Sequence, residues 1–167
     1  MAIISRHSWR EIVGMDTLPD SVLELINSYI ENQVAAGATD GSRYVMQNAV
    51  ATRYTARIWR TTEDANAFIE FLKALSYPPD VTEVLDVTVS RTYWGRVLTR
   101  ADKLKNYDYN EILVNEGKAV AVPPYKNEFD GEFTTYLRVF TTVEDANSYI
   151  DWIKTAFDPP PVLAEVL

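Results

Sequence analysis

The sequence has no cysteine and one histidine, His7. The lack of cysteine excludes disulfides, thiolate catalysis and cysteine-ligated zinc, and a single histidine excludes a histidine-rich metal site. Glycine is also scarce, and its six residues all stand apart from one another, so the chain has no glycine-rich loop that could cradle a phosphate. We therefore expect no catalytic residue set, no metal and no cofactor.

Basic residues are in deficit, with 16 Lys and Arg against 24 Asp and Glu in 167 residues and a formal net charge of −8. Direct nucleic-acid binding is not expected, because it needs a basic surface that displaces counterions from phosphates. No apolar run approaches the roughly 18 residues that span a bilayer, so we expect no membrane contact. Arg6, His7 and Arg10 interrupt the apolar stretch that a signal peptide would need, so export by such a peptide is not expected either.

An internal repeat organises the chain. The segment TTEDANAFIEFLK at 61–73 matches TVEDANSYIDWIK at 142–154, with seven of thirteen positions identical. The match extends backward to RIW at 57–59 and RVF at 138–140, always at an offset of 81 residues. Since this offset is close to half the chain length, the sequence predicts two copies of one structural unit.

The pattern within each copy predicts its elements. Aromatic and β-branched residues predict a strand at 54–59, and Thr61-x-x-Asp64 is a capping-box-like helix start that Thr142-x-x-Asp145 repeats. Strands at 2–9 and 43–50, and a helix capped by Ser21, complete the first copy, with a strand at 81–89 after its repeated helix. The second copy is predicted to have strands at 86–93, 119–122, 132–140 and 162–167, a poorer helix at 99–114 and a hairpin turn at 127–131.

Each half then has the order strand–helix–strand–strand–helix–strand. The predicted fold class is α+β, as a tandem duplication of a ferredoxin-like βαββαβ unit with antiparallel sheets, in repeats 1–82 and 83–167 that pack as one compact unit. This order resembles that of the dimeric α/β-barrel proteins. The resemblance implies that the two open sheet faces stack against each other, as a pseudo-dimeric α/β barrel.

Arginines lie close to aromatic residues in both copies. Arg57 and Arg138 occupy matching positions, and Arg57 shares a strand face with Trp59, whereas Arg138 shares one with Tyr136. The candidate ligand or interface residues are Arg57, Arg138, Tyr54, Trp59, Tyr136, Tyr93, Trp94 and Arg96. Arginine and aromatic residues are favoured at protein interfaces, while arginine also binds carboxylate or phosphate. Both interpretations stay open, with the interface favoured.

Other polar features have simpler explanations. We interpret His7 as a surface or hydrogen-bonded histidine, because neighbours in a strand point to opposite faces and supply no nucleophile–base pair. Glu63-Asp64 and Glu144-Asp145 are explained by stabilisation of helix N-termini. The run at 105–111 is typical of a polar loop, and the carboxylates at 127–132 lack the order of a calcium loop.

The repeated Thr-x-Glu-Asp-Ala-Asn-x-aromatic-Ile helix resembles segments of uncharacterised small proteins of tailed bacteriophages. The resemblance implies a virion component or an auxiliary protein, in the virion or the host cytoplasm. The favoured function is a non-catalytic interaction or assembly protein, most simply a phage structural subunit that binds copies of itself or other virion or host proteins.

Two alternatives stay open. One is a small-molecule-binding protein or enzyme that uses a cavity between the sheets, lined by Arg57, Arg138, Tyr54 and Tyr136. The other is an acidic phage inhibitor that mimics nucleic acid toward a host enzyme.

Overall fold

The computed structural model describes residues 1–9, 18–47, 53–120, 124–127 and 135–167. The predicted turn at 127–131 lies outside the described residues apart from Asn127, as do parts of the predicted strands at 43–50, 119–122 and 132–140. The chain divides into two compact units, Ala2–Asp86 and Val87–Leu167. The sequence places this boundary between residues 82 and 83, a little earlier in the same strand.

The Ala2–Asp86 unit contains six elements in the order βαββαβ. They are β1 (Ala2–Ser8), α1 (Asp20–Ala35), β2 (Tyr44–Gln47), β3 (Arg53–Trp59), α2 (Thr62–Lys73) and the first part of β4 (Val81–Tyr93). β3 pairs antiparallel with both β1 and β2, and β1 also pairs with β4, so the strand order is β2-β3-β1-β4. This is the element order predicted for the first half.

The Val87–Leu167 unit repeats this order. After the second part of β4 come α3 (Arg100–Asn115), β5 (Tyr125–Asn127), β6 (Thr135–Phe140), α4 (Val143–Ala156) and β7 (Leu163–Val166). β6 pairs antiparallel with β4 and β5, and β4 pairs antiparallel with β7, giving the order β5-β6-β4-β7. The chain is therefore an α+β protein with antiparallel strand pairing, as predicted. The stacking of two open sheet faces stays a prediction.

Helices cover one face of each sheet and bury an apolar core there. In the Ala2–Asp86 unit, Trp9 and Trp59 from the sheet side pack with Phe68 and Leu72 of α2 and Ile26 of α1. In the Val87–Leu167 unit the corresponding cluster includes Trp94, Phe140, Tyr149, Ile150 and Ile153. Burial of a side chain such as Phe68 contributes roughly 2 kcal/mol, so these clusters fix each helix against its sheet.

Threonine caps begin three of the four helices. The side chains of Thr61, Thr99 and Thr142 each accept a hydrogen bond of 3.1 Å from a backbone N–H three residues later. The caps predicted at Thr61 and Thr142 are therefore confirmed. The cap predicted at Ser21 is wrong: α1 begins after Pro19, whose carbonyl accepts the first helical hydrogen bonds from Val22 and Leu23.

Two further predictions are corrected. The helix predicted at 99–114 is confirmed as α3, so residues 105–111 belong to a helix and not to a loop. The loop prediction failed because the buried positions there include Asn106 and Asn110, and the apolar periodicity that marks a helix is lost. The strands predicted at 81–89 and 86–93 are one continuous strand, β4.

Candidate functional site

Polar side chains occupy the helix-covered face of the Ala2–Asp86 sheet. β1 places Ser5 and His7 on this face, and β3 places Thr55, Arg57 and Trp59 there, because side chains two residues apart share a face. His7 is 0% exposed and Arg57 only 4% exposed. The indole N–H of Trp59 donates to Ser5 Oγ at 2.8 Å, which satisfies that buried hydroxyl.

His7 is held between aromatic rings. Its ring centroid lies 5.2 Å from that of Trp9 and 5.7 Å from that of Phe68, both in edge-on geometry. Within the described part of the chain, neither ring nitrogen has a hydrogen-bond partner. Burial, followed by the charges of Arg57 and Arg43, lowers the pKa of His7 to about 3. The imidazole is therefore neutral at pH 7, and the expectation of a surface or hydrogen-bonded histidine is wrong.

Arg57 lies diagonally across the β1–β3 pair from His7, beside the same Phe68 ring. Its guanidinium carbon is 6.0 Å from the Phe68 centroid, and Nη1 donates to the carbonyl of Gly41 at 3.2 Å. Gly41 has φ +82°, a backbone conformation that favours glycine, and a Cβ there would lie 2.8 Å from Cγ2 of Val34.

The Nε–H of Arg57 is buried, and none of the residues that the structure describes accepts a hydrogen bond from it. Burial and then Arg43 lower the pKa of Arg57 to about 10, against a weaker opposing effect of Asp40, so the side chain stays cationic at pH 7. Among the residues that the structure describes, no carboxylate forms an ion pair with Arg57.

Arg138 holds the equivalent position in the Val87–Leu167 unit. It pairs in register with Ser90, as Arg57 pairs with Ser5. Arg138 Nε donates to the hydroxyl of Tyr149 at 3.3 Å, and that hydroxyl donates to Asn106 Oδ1 at 3.0 Å. Asn110 Nδ2 donates to the carbonyl and the Oδ1 of Asn106, both at 2.7 Å. This unit therefore supplies its arginine Nε with an acceptor of its own.

The structure separates the other predicted site residues. Tyr54 lies on the opposite face of β3 from Arg57, with the Arg6 guanidinium 4.6 Å above its ring. Tyr136 shares a face with Arg138 and is half-buried, and burial raises its pKa. Arg57 thus lies on the face of β3 that α2 covers and Tyr54 on the other face, while the alternative of a cavity between the sheets stays a prediction.

Tyr93 ends β4, and Trp94 and Arg96 follow it. Trp94 is buried against Phe157, with ring centroids 4.9 Å apart. Arg96 lies 5.4 Å from the Trp94 ring and pairs with Asp102 at 3.0 Å, and this hydrogen bond lowers the pKa of Asp102. Tyr93 is half-buried at the end of β4. Arg96 therefore lies close to Trp94 because the two side chains pack against each other and against their neighbours.

Three features of these sites were not predicted from the sequence. They are the buried His7 without hydrogen bonds, the replacement of Phe68 by Tyr149 in the second unit, and the Asn106–Asn110 pair. The last had a signal, because α3 and α1 have the same length and Asn106 and Asn110 stand where α1 has the buried Ile26 and Ile30. Asparagines four residues apart on a buried helix face indicate a polar network.

The described residues show neither a membrane-spanning helix nor a metal-ion cluster. No helix there combines the length and apolar character needed to span a membrane. No three or more His, Cys, Asp or Glu side chains come together there in a way that could hold a metal ion.

Comparison with known proteins assigns no family. No family model matches the chain. No curated protein matches it. Among solved structures it is similar to a Lactobacillus acidophilus NCFM protein assigned as a monooxygenase, with 12% identity, coverage of 99% of this chain and 91% of that chain, and a TM-score of 0.30.

Two further solved structures are similar to the chain, with comparably low sequence identity and TM-score. The first two RRM domains of the yeast poly(U)-binding protein share 11% identity, with coverage of 99% and 97% of the two chains and a TM-score of 0.30. A protein assigned as a chlorite dismutase shares 11% identity, with coverage of 99% and 94% and a TM-score of 0.34. Likenesses this weak carry no argument about function.

Proposed function

We propose that the protein is a non-catalytic interaction and assembly protein that associates with a second copy of itself through the outer face of α3. The observation that supports this is the inverted polarity of α3. The helix buries Asn106 and Asn110 together with Leu113, but exposes Leu104 by 50%, Tyr107 by 46% and Ile112 by 53%. A surface helix ordinarily does the reverse, and exposed apolar side chains on one face favour a partner there.

The exposed side chains of α3 form two adjacent rows with four-residue spacing. Arg100, Leu104, Asp108 and Ile112 form one row, and Lys103, Tyr107 and Glu111 form the other. Along the helix the face is therefore first basic, then apolar, then acidic, and it ends at the apolar Ile112. This order opposes the helix dipole, which favours acidic residues at the N-terminus and basic residues at the C-terminus, so local helix stability does not explain it.

The order is self-complementary. Two antiparallel α3 helices related by a twofold axis between residues 105 and 106 would place Arg100 opposite Glu111, Lys103 opposite Asp108, and Leu104 opposite Tyr107. Such an isologous contact is the commonest form of homodimer interface. Because one helix face is small for an interface, we expect weak association that is favoured by high local concentration.

We propose that the two units arose by tandem duplication, supported by the repeat and by the matching Ser5–Arg57 and Ser90–Arg138 registers. A duplicated chain offers two similar surfaces for contacts with neighbours.

Because of the resemblance of the repeated helix motif, we propose that the protein is part of the particle of a tailed bacteriophage. Proteomics of purified particles tests this placement, and absence of the chain from them contradicts it.

A mixing experiment tests the self-association. One variant carries Arg100→Glu and Lys103→Glu, and the other carries Asp108→Lys and Glu111→Lys. Each variant alone brings like charges together across the twofold axis and should be monomeric by native mass spectrometry at about 100 μM, a concentration chosen for a weak interface. The equimolar mixture restores opposite charges at every pair and should form a heterodimer. A mixture that stays monomeric while the wild type dimerises contradicts the proposed face, and a monomeric wild type contradicts self-association.

A further inference from the structure

Strand β7 lies at one edge of the Val87–Leu167 sheet. It pairs with β4 and, among the described residues, with no second strand. Just after β7, Leu167 and Val89 of β4 exchange two backbone hydrogen bonds, of 2.8 and 3.3 Å. Because bonded and non-bonded pairs alternate along an antiparallel ladder, the backbone N–H and C=O groups of Ala164 and Val166 face away from β4. The outer edge of β7 therefore carries backbone donors and acceptors that no described strand pairs.

This edge lacks the usual protection against pairing with another chain. Proteins commonly protect an exposed strand edge with lysine, proline or a bulge. β7 contains neither lysine nor proline, and its register with β4 is continuous. Its one charged residue, Glu165, accepts a hydrogen bond of 2.7 Å from Nε of Arg91 and is thereby compensated within the unit. Beside the edge, Val162 is 75% exposed and Leu163 is 40% exposed, so the edge is apolar.

We propose that the outer edge of β7 pairs antiparallel with the same edge of a second copy, around a twofold axis at Ala164. In this register Ala164 lies opposite Ala164 of the second copy, and Val162 lies opposite Val166. The outward backbone groups of the two strands then bond to each other. The sheets of the two Val87–Leu167 units thereby become one continuous sheet.

The residues of the strand select both this register and a second copy as the partner. A twofold axis at Glu165 would place two glutamates directly opposite each other, which is unfavourable. An axis at Leu163 would leave Val166 without a partner strand. The axis at Ala164 pairs every outward residue and covers the exposed Val162. A strand that is complementary to its own antiparallel copy fits a second molecule of this chain.

This contact goes beyond the proposed α3 interface and does not depend on it. A short strand edge offers less area than a helix face, so we expect no non-covalent β7 pairs at the concentration of about 100 μM at which α3 association is tested. If both contacts form, each chain takes part in two different twofold contacts. Copies are then linked into a row instead of a closed pair.

Disulfide trapping tests the contact, because the chain has no cysteine of its own. Ala164→Cys and Val162→Cys are made separately in the Arg100→Glu, Lys103→Glu variant, which removes the α3 contact, and are oxidised at equal concentration. Opposed residues of a bonded antiparallel pair have Cα atoms about 5.5 Å apart, which suits a disulfide between two Ala164 positions. The two Val162 positions are displaced along the strands by about 13 Å, which a disulfide cannot span.

We expect Ala164→Cys to form a covalent dimer faster than Val162→Cys on non-reducing electrophoresis. Random collision would give the opposite order, since Val162 is 75% exposed and Ala164 is half-buried. Adding Val162→Lys to Ala164→Cys should slow the cross-link about tenfold, because two symmetry-related cross-strand pairs are lost. Val34→Lys is the matched control, since it makes the same change at an exposed position of α1 and should leave the rate unchanged.

A second measurement needs no substitution in β7. In the same α3 variant, raising the concentration toward about 1 mM should move the amide protons of Ala164 and Val166 downfield, since they gain hydrogen bonds. The amide protons of Leu163 and Glu165 should move less, because they already bond to β4.

Three results would overturn the proposal. The first is a cross-link in Val162→Cys that forms as fast as the one in Ala164→Cys. The second is an equal rate with Val162→Lys and with Val34→Lys. The third is an absence of concentration-dependent shifts at Ala164 and Val166. Since the α3 charges are reversed in every protein compared here, failure of the β7 contact leaves the test of the α3 interface unaffected.

Discussion

At the scale of single residues, a buried titratable side chain couples stability to pH. The folded state keeps His7 neutral because burial, Arg57 and Arg43 lower its pKa from 6.5 to about 3. In the unfolded chain His7 binds a proton below pH 6.5. The stability that neutral His7 contributes is therefore complete above pH 6.5 and is lost as the pH falls toward 3.

We expect this linkage to lower the free energy of unfolding by about 2 kcal/mol between pH 7 and pH 5. Urea denaturation at a series of pH values measures it. His7→Gln keeps a polar side chain of similar size that does not titrate, so its stability should fall less over the same interval. Carboxylates titrate alike in both proteins, and identical slopes would contradict the assignment to His7.

The hydroxyl of Tyr149 should matter for stability. Tyr149→Phe leaves Arg138 Nε without its acceptor and removes a donor to Asn106, so we expect a loss of about 1–3 kcal/mol in urea denaturation. Tyr109→Phe is the matched control, because Tyr109 stacks on Trp152 with centroids 3.8 Å apart and keeps that contact without its hydroxyl. Its change should stay within about 0.5 kcal/mol. Equal losses in the two variants would contradict the network.

The candidate site was only partly predictable at this scale. The repeat aligns Arg57 with Arg138 and Phe68 with Tyr149, so the pairs themselves are visible in the sequence. The sequence does not show which side chains these residues contact. That depends on α2 lying over β3, which brings the Phe68 ring to both Arg57 and His7. Strand alternation alone cannot predict that contact, because it involves residues from three separate elements.

At the scale of elements, the threonine caps give a direct prediction. Thr61→Ala and Thr142→Ala should each lower the free energy of unfolding by about 1 kcal/mol, since each removes a side-chain acceptor for a helix N–H. Ser21→Ala is the control, because α1 begins after Pro19 and has no side-chain cap bond. Thermal or urea unfolding compares the three. A loss in Ser21→Ala as large as in the threonine variants would contradict the assigned helix start.

The same elements show why some predictions succeed. Strand β3 and the caps of α2 and α4 follow from local residue types that occur twice in the chain. α3 was obscured at 105–111, because its buried side carries asparagines and its exposed side carries Leu104 and Tyr107. Apolar periodicity identifies a helix only when its apolar face is the buried one. The features that hide α3 are thus those on which the proposed interface rests.

At the scale of the whole molecule, net charge competes with local charge pairing. Each chain carries −8, so two copies repel at a distance beyond the contact itself. The pair Arg100→Glu and Lys103→Glu changes the net charge to −12, and the pair Asp108→Lys and Glu111→Lys changes it to −4, because each substitution alters the charge by two. The two variants therefore separate overall repulsion from pairing at α3.

If overall repulsion governed association, the variant with net charge −4 would associate more tightly than the wild type. We expect weaker association, since its new lysines face Arg100 and Lys103 of the second copy at short range, where salt screens little. Glu24→Lys with Glu31→Lys on the exposed side of α1 reaches the same net charge of −4 without touching α3, and this control should associate at least as tightly as the wild type. Sedimentation velocity at low salt compares the three proteins. Equal association of the α3 variant and the α1 control would show that net charge alone acts, and α3 would then not be the interface.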